Sequence, residues 1–368
     1  MNTPGGIIPE DNDRSLQAYR PQPSEDIPDL MHYRKRMKPS YALEAILEGI
    51  PVLIADYYGS GLEVMHEISR HVKHHYQDSS FTGQRAGRAA YRELSNRVYL
   101  QINNHRLQVR KAPEIGWLKI LYPGLPNFLL PFPQVQGLNS SWQWYKNGIY
   151  IPVLQRKIHP WYATYFPTRF EHLELFGNWL KQYGGAKGPA IDVGIGSGVL
   201  SMQMLRHDIA PVFGTDINPN AILGLNEFIQ KNGLQSSLHV SKGDLFDNCP
   251  EQAALIVFNP PWLPGSELSA ALDAAIYYPE DLFPRFFEQA AMHLQNQGRL
   301  VVLFSNLAEV TQQATVNPVI HELITGNRFQ KVQLITRHVR PASAKTKRKP
   351  LSRAKELVEL WELKLKSD

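Results

Sequence analysis

From about residue 185 the chain alternates short apolar runs with helical periods, and that alternation limits the fold more than any other feature. PAIDVG is followed by GVLSMQMLRH and PVFGTDI by PNAILGLNEFIQKNG; LHVSKGDL, AALIVFN, FPRFFEQAAMHL and GRLVVLFSN come next. The short runs read as strands and the longer periods between them as helices. Pro219 in the first turn and Gly233 past the end bracket the second helix. Strands alternating with helices imply a mostly parallel sheet covered on both faces, an α/β fold. FQKVQLITRHVR and ELVELWELKL are two more candidate strands, separated by PASAKTKRKPLSRAK.

Upstream the texture differs. Residues 40 to 95 read as helical: SYALEAILEGI has a serine where an N-cap belongs, and GLEVMHEISRHVKHHY sets Leu62, Val64, Met65, Ile68 and Val72 near a helical period. RVYLQI-NNH-RLQVRK and WQWY-KNG-IYIPVL read as hairpins, the second about an Asn-Gly turn, and the prolines of LPNFLLPFPQ mark irregular connections. A length of 368 residues accommodates two domains. The expectation is a flexible segment over 1–35, an α+β accessory or substrate domain over 36–160, and the α/β domain over 161–368.

Cys249 is the one cysteine, which excludes an internal disulfide framework and a multi-cysteine zinc site and fits a reducing compartment. No apolar run approaches the ~20 residues of a membrane span. The first thirty residues lack the basic start and apolar core of a signal peptide, so the expected location is cytoplasmic, away from membranes. The net charge of +5 is unevenly spread: Lys331 to Asp368 carries eleven Lys/Arg against four Asp/Glu, leaving −2 for the rest.

IDVGIGSG occupies the first strand-to-helix turn, where an open α/β sheet places its ligand. Glycines let the backbone approach that ligand closely, and the helix behind begins with free N–H groups. A dinucleotide fingerprint is G-x-G-x-x-G, whereas Gly194, Gly196 and Gly198 are spaced G-x-G-x-G and Val199 follows. Asp192 precedes the first glycine. Asp216 ends the second strand, where a carboxylate can accept from both hydroxyls of a ribose, a role shared by NAD and S-adenosylmethionine sites. Asp244, at the end of the third strand, is an acceptor suited to an adenine amino group, with Leu245 and Phe246 as apolar neighbours. Each aspartate alone reads equally well as a helix cap or turn residue. Three at successive strand ends point to a cofactor site.

DVGIGSG, GTDINP, SKGDLF and FNPPW, in this order over about 75 residues, resemble the class I S-adenosylmethionine-dependent methyltransferases. The closest likeness is to the small-domain amino-methyltransferases with an N-P-P-aromatic motif, among them the HemK-type glutamine methyltransferases and many enzymes that methylate adenine or guanine in RNA and DNA. The resemblance spans roughly residues 160 to 368. It implies a Rossmann-like mixed seven-stranded sheet with helices on both faces, S-adenosylmethionine as cofactor, and a capping segment at YFPTRFEHLEL that includes Phe166, Pro167 and Thr168. HemK-type enzymes have a small all-helical N-terminal domain, unlike the mixed pattern of residues 36–160.

Methyl transfer from a sulfonium is an in-line displacement that needs an aligned lone pair. The lone pair of an exocyclic amine or carboxamide nitrogen is delocalised, and two fixed carbonyl acceptors on its NH2 stabilise the charge that develops on nitrogen. The Asn259 side chain and the Pro260 backbone carbonyl are assigned as those acceptors. Pro260 and Pro261 fix their own φ and hold the residues before them extended, so the acceptors are aimed in advance. Trp262 would stack on a planar substrate group, worth ~1–3 kcal/mol per base for a nucleobase. The competing reading of NPPW is a strand ended by a rigid turn with a core tryptophan.

In the family arrangement the loop between the last two strands lies at the carboxyl end of the sheet. Lys345, Lys347, Arg348, Lys349 and Arg353 in that loop suit phosphate contacts, which favours methylation of a nucleobase amino group in RNA or DNA over a protein glutamine. A solvated basic loop is the plain alternative. A nucleotide-dependent oxidoreductase and a cofactor-binding module without catalysis are the rival readings, opposed by the glycine spacing and by intact Asn259 and Trp262. His66, His71, His74 and His75 crowd one helix without Cys or carboxylate partners, which reads as a polar face and not a metal site. The aromatics of WQWY and HPWYATYF suit a core as well as a cleft.

Overall fold

A computed structural model describes residues 16–78, 81–265, 275–313, 316–340 and 355–366. The chain divides into two compact units. One comprises Arg20–Ile149 and Ile158–Tyr162; the other takes the stretch ending at Tyr19, Tyr150–Lys157 and everything from Ala163 on.

In the first unit, strands Met31–Tyr33, Val52–Ile54 and Val98–Asn103 run parallel, and Val98–Asn103 also pairs antiparallel with Arg106–Leu107 and Phe128–Pro131. Helices Pro39–Leu47, Tyr58–His75 and Phe81–Ser95 fill the connections. Two expectations need correction. The span 40–95 is not helical throughout, because Val52, Leu53 and Ile54 form a fully buried strand. WQWY-KNG-IYIPVL is not a hairpin: WQWY ends the helix Phe132–Asn147, and the Asn-Gly pair is its stop. Gly148, at φ 71° and ψ 157°, occupies a region open to glycine and closed to other residues, and donates its N–H to the Trp144 carbonyl as the helix ends. The helical face stacks Trp142 and Tyr145, ring centroids 5.6 Å apart, against the fully buried Trp117, which Trp161 also meets. Trp117 is core, Trp142, Tyr145 and Trp161 are half-buried against it, and Trp144 is exposed.

The second unit is a seven-stranded sheet. Its strands are β1 (Ala190–Val193), β2 (Val212–Asp216), β3 (Leu238–Lys242), β4 (Ala253–Phe258), β5 (Leu294–Ser305), β6 (Phe329–His338) and β7 (Leu357–Leu365). They lie in the order 3-2-1-4-5-7-6, parallel except for β7, which runs antiparallel to both its neighbours. Helices α1 (Glu171–Leu180), α2 (Val199–Arg206), α3 (Pro219–Asn232) and α4 (Leu282–His293) accompany them.

Every residue of β1 and β4 is buried, as uninterrupted AIDV and AALIVF runs require of strands covered on both faces. Polar residues appear on the outer strands β3 and β6. Two glutamates inside β7 are buried and fully engaged: Glu362 accepts from Trp179, Arg299 and Gln333, and Glu359 from Asn317 and Trp361. Left unpaired, each would cost several times the ~1 kcal/mol of an ordinary hydrogen bond. Helix α3 starts and stops as its sequence predicts, with Pro219 in its first turn, the Asn218 side chain capping Asn220 N–H, and Gly233 left-handed at φ 65°.

No described helix is long and apolar enough to cross a membrane. His71 and His75 stack on the helix Tyr58–His75, and no described group of three or more His, Cys, Asp or Glu side chains could hold a metal ion.

Candidate active site

Register brings the motif residues to one edge of the sheet. Val193 pairs with Thr215 and with Phe258, and Asp216 pairs with Lys242. Gly194, Gly243 and Asn259 therefore leave the carboxyl ends of β1, β3 and β4 beside Asp216, which ends β2. The strand order reverses between β1 and β4, the switch point at which open α/β sheets bind ligands. A cavity of about 590 Å³ opens there.

The β1–α2 turn is built for close approach. Gly194, Gly196 and Gly198 all have positive φ, 64°, 52° and 75°, a region that costs any L side chain strain. Asp216 holds this turn: one carboxylate oxygen accepts the Gly196 N–H at 2.8 Å and the other the Asn218 N–H at 2.8 Å. Burial raises the Asp216 pKa, and the two backbone hydrogen bonds oppose the rise.

Gly194, Gly196, Asp216, Asp244, Leu245, Pro167, Asn259, Pro260, Pro261 and Trp262 all line the one cavity. Phe166, Thr168, Gly198 and Asp192 are not on its wall. Asp192 is 1% exposed and accepts the N–H and hydroxyl of Ser201, so it serves as a buried tie to the first turn of α2. Burial pushes its pKa up to about 7 against the effect of those bonds. Asp244 reaches the cavity, but its carboxylate is paired with Arg285, which also binds Asp281. Lys345, Lys347, Arg348, Lys349 and Arg353 lie outside the described residues.

The wall also includes Tyr19, Arg285 and His172, none of them singled out as a site residue from the sequence. Tyr19 is bound through its backbone by the Asn220 side chain, N–H to Oδ1 at 2.9 Å and Nδ2 to carbonyl at 2.8 Å, across 201 positions of sequence. Arg285 comes from α4. His172, in the first turn of α1, is 2% exposed and meets Trp262 edge-on, ring centroids 5.5 Å apart at 88°.

Four polar atoms around Trp262 are buried without a hydrogen-bond partner among the described residues: Asn259 Oδ1, Trp262 Nε1 and both ring nitrogens of His172. Seven other described side-chain atoms are buried and unpartnered in the same way, and what sets these four apart is that all three residues line one cavity.

Burial holds the His172 pKa down at about 4, so the ring is neutral at ordinary pH. An unfolded histidine titrates near 6.5. Between these values the unfolded chain binds the proton and the folded chain does not, so stability is lost as pH falls. Going from pH 7 to 5 costs about 2 kcal/mol through this group. The raised Asp192 pKa works in the opposite direction but is common to wild type and a His172→Phe variant, and cancels between them. Urea melts of both proteins at pH 7 and 5 should show the smaller acid loss in His172→Phe; equal losses would refute the assignment.

Residues 174–332 match the family described as "Methyltransferase small domain". A Methanocaldococcus jannaschii protein whose name assigns it N5-glutamine methylation is 28% identical over 134 residues, 34% of this chain and 66% of that protein. The release factor glutamine methyltransferase of Cereibacter sphaeroides is 27% identical over 124 residues, 30% of this chain and 45% of its own. The ribosomal RNA small subunit methyltransferase C of Alcanivorax borkumensis is 36% identical over 78 residues, 21% and 23% of the two chains. The chain thus spans less than two thirds of each of these relatives. Among solved structures, the ribosomal protein L11 methylase of Lactobacillus delbrueckii subsp. bulgaricus overlaps 59% of this chain and 91% of its own at 20% identity and a TM-score of 0.37.

Proposed function

We propose that this chain, whose residues 174–332 match the methyltransferase small domain family, is a class I S-adenosylmethionine-dependent N-methyltransferase whose acceptor is a planar NH2 group. The observation that carries this reading is the buried, unpartnered Oδ1 of Asn259, on the wall of the cavity formed by the glycine turn and Asp216.

S-adenosylmethionine supplies, when bound, a methyl group on a sulfonium. The residues present fit it: Asp216, whose two oxygens each accept one backbone N–H, would also accept from the ribose hydroxyls, the glycine turn admits close backbone approach, and Ile217 and Leu245 would offer apolar contact to the adenine. Asp244 is shared with Arg285, so an adenine amino group would compete with that ion pair. Tyr19, clamped by Asn220, adds an aromatic wall. Tyr19→Ala is expected to weaken S-adenosylhomocysteine binding about fivefold, the worth of one aromatic contact. An unchanged calorimetric Kd would remove Tyr19 from the cofactor site.

Asn259 Oδ1 and the Pro260 carbonyl, also on the cavity wall, accept from the two N–H groups of the substrate. That grip would direct the nitrogen lone pair at the methyl carbon and stabilise the positive charge growing on nitrogen as the N–C bond formed and the S–C bond broke, with S-adenosylhomocysteine as the leaving group. No transfer of charge to a side chain is needed, because the methylated nitrogen is acidic enough to lose its proton to water.

Between acceptors, we favour a protein glutamine carboxamide. The relatives matched over 134, 124 and 157 residues carry glutamine methyltransferase names, whereas the ribosomal RNA enzyme is matched over 78. A nucleobase amino group is the second reading, favoured by the basic run from Lys345 to Arg353. We place the reaction in the cytoplasm, which suits the single cysteine, Cys249, a thiol that burial pushes up to about 12 and so keeps unreactive. The deciding experiment incubates the protein with labelled S-adenosylmethionine and separated protein, RNA and DNA fractions from cells lacking it. Label recovered as methylglutamine supports the first reading, label in RNA or DNA installs the second, and no label in any fraction rejects both.

A further inference from the structure

The grip assigned to Asn259 and Pro260 uses two acceptors, yet the same wall holds two kinds of unpaired donor. Trp262 Nε1–H can only donate, and neutral His172 presents one N–H and one lone pair. The charged neighbours of His172 are engaged elsewhere. Glu171 accepts the backbone N–H groups of Arg340 and Phe170, and Arg169 pairs with Glu356. A plain amine would answer only the acceptors and leave the donors unpaired in a buried site.

Resting on the N-methyltransferase reading, we propose that His172, together with the indole N–H of Trp262, donates to the acceptor atom that adjoins the reacting NH2. The site then reads a full edge: NH2 against Asn259 and Pro260, and the adjoining carbonyl oxygen or ring nitrogen against His172 and Trp262. Carboxamides and amino-substituted heterocycles carry that edge; a lysine ε-amine does not. Sites that bury groups meant for a substrate hydrogen bond discriminate strongly against molecules lacking it, because those groups stay unsatisfied. The edge-on contact of the two rings holds each donor in place.

His172→Phe keeps an aromatic ring against Trp262 and removes both nitrogens; His172→Asn restores one N–H donor. Transfer of label is measured on the fraction that the wild-type protein methylates, with S-adenosylhomocysteine affinity measured beside it by calorimetry. His172→Phe should raise the apparent KM about 30-fold, with kcat and cofactor Kd within threefold of wild type, and His172→Asn should recover most of the loss. A wild-type KM in His172→Phe, no recovery in His172→Asn, or loss of cofactor affinity in His172→Phe overturns the inference and leaves the N-methyltransferase reading standing. Label appearing on a lysine ε-amine overturns it as well. A wild-type protein that labels nothing brings down both.

Discussion

Asn259→Ala is expected to lower methyl transfer by about 10³-fold while S-adenosylhomocysteine affinity stays within threefold. Removing one preorganised partner of a charge that develops only in the transition state costs about 10²–10³ in turnover. Here the loss also frees the substrate nitrogen to rotate out of line. Asn259 leaves β4 one residue past Phe258, which is 4% exposed and packed among Phe283 and Phe286, so truncation beyond the strand leaves the strand intact. The effect should thus fall on kcat and not on cofactor binding. Single-turnover transfer and calorimetry on one preparation make the comparison. Near-normal turnover would remove Asn259 from the site, and equal losses in both quantities would make its role structural.

Asp216→Ala should do the opposite, weakening cofactor binding by about 10²-fold. A charge-assisted hydrogen bond contributes about 1.5–3 kcal/mol, and this carboxylate both faces the proposed ribose position and holds Gly196 and Asn218. Asp216→Asn keeps one acceptor and should lose less. Because the Asp216 carboxylate bonds to the glycine turn and to the start of α3, the alanine variant should also loosen both, visible as faster amide exchange at Gly196 and Asn218. A Kd within twofold of wild type for Asp216→Ala would show that the carboxylate serves the turn alone.

How far the site could be read in advance follows from chain distance. Gly194, Gly196 and Asn259 sit immediately after strands whose apolar runs are unmistakable, so their place at the carboxyl edge was implied once the sheet was parallel. Pro219 and Gly233 marked α3 because a helix end uses the backbone of its own neighbours. Local signals failed where one pattern serves two structures. Asn147-Gly148 suits a hairpin turn and a glycine-terminated helix alike, and the aromatic face packed on Trp117 accompanies the helix. Asp192 suited a ligand and a cap, and its full burial against Ser201 selected the cap.

The succession of strands and helices, the glycine spacing, the carboxylate ending β2 and the rigid Asn-Pro-Pro-Trp segment were determined by the sequence itself, since each rests on backbone preferences and periodicities that act over a few residues. Tyr19 on the cavity wall, the pairing of Asp244 with Arg285, and the unpartnered atoms of His172, Trp262 and Asn259 were decided only by the tertiary structure. Those features depend on which groups meet, and which buried groups meet nothing, across tens to hundreds of intervening residues, and no local preference carries that information.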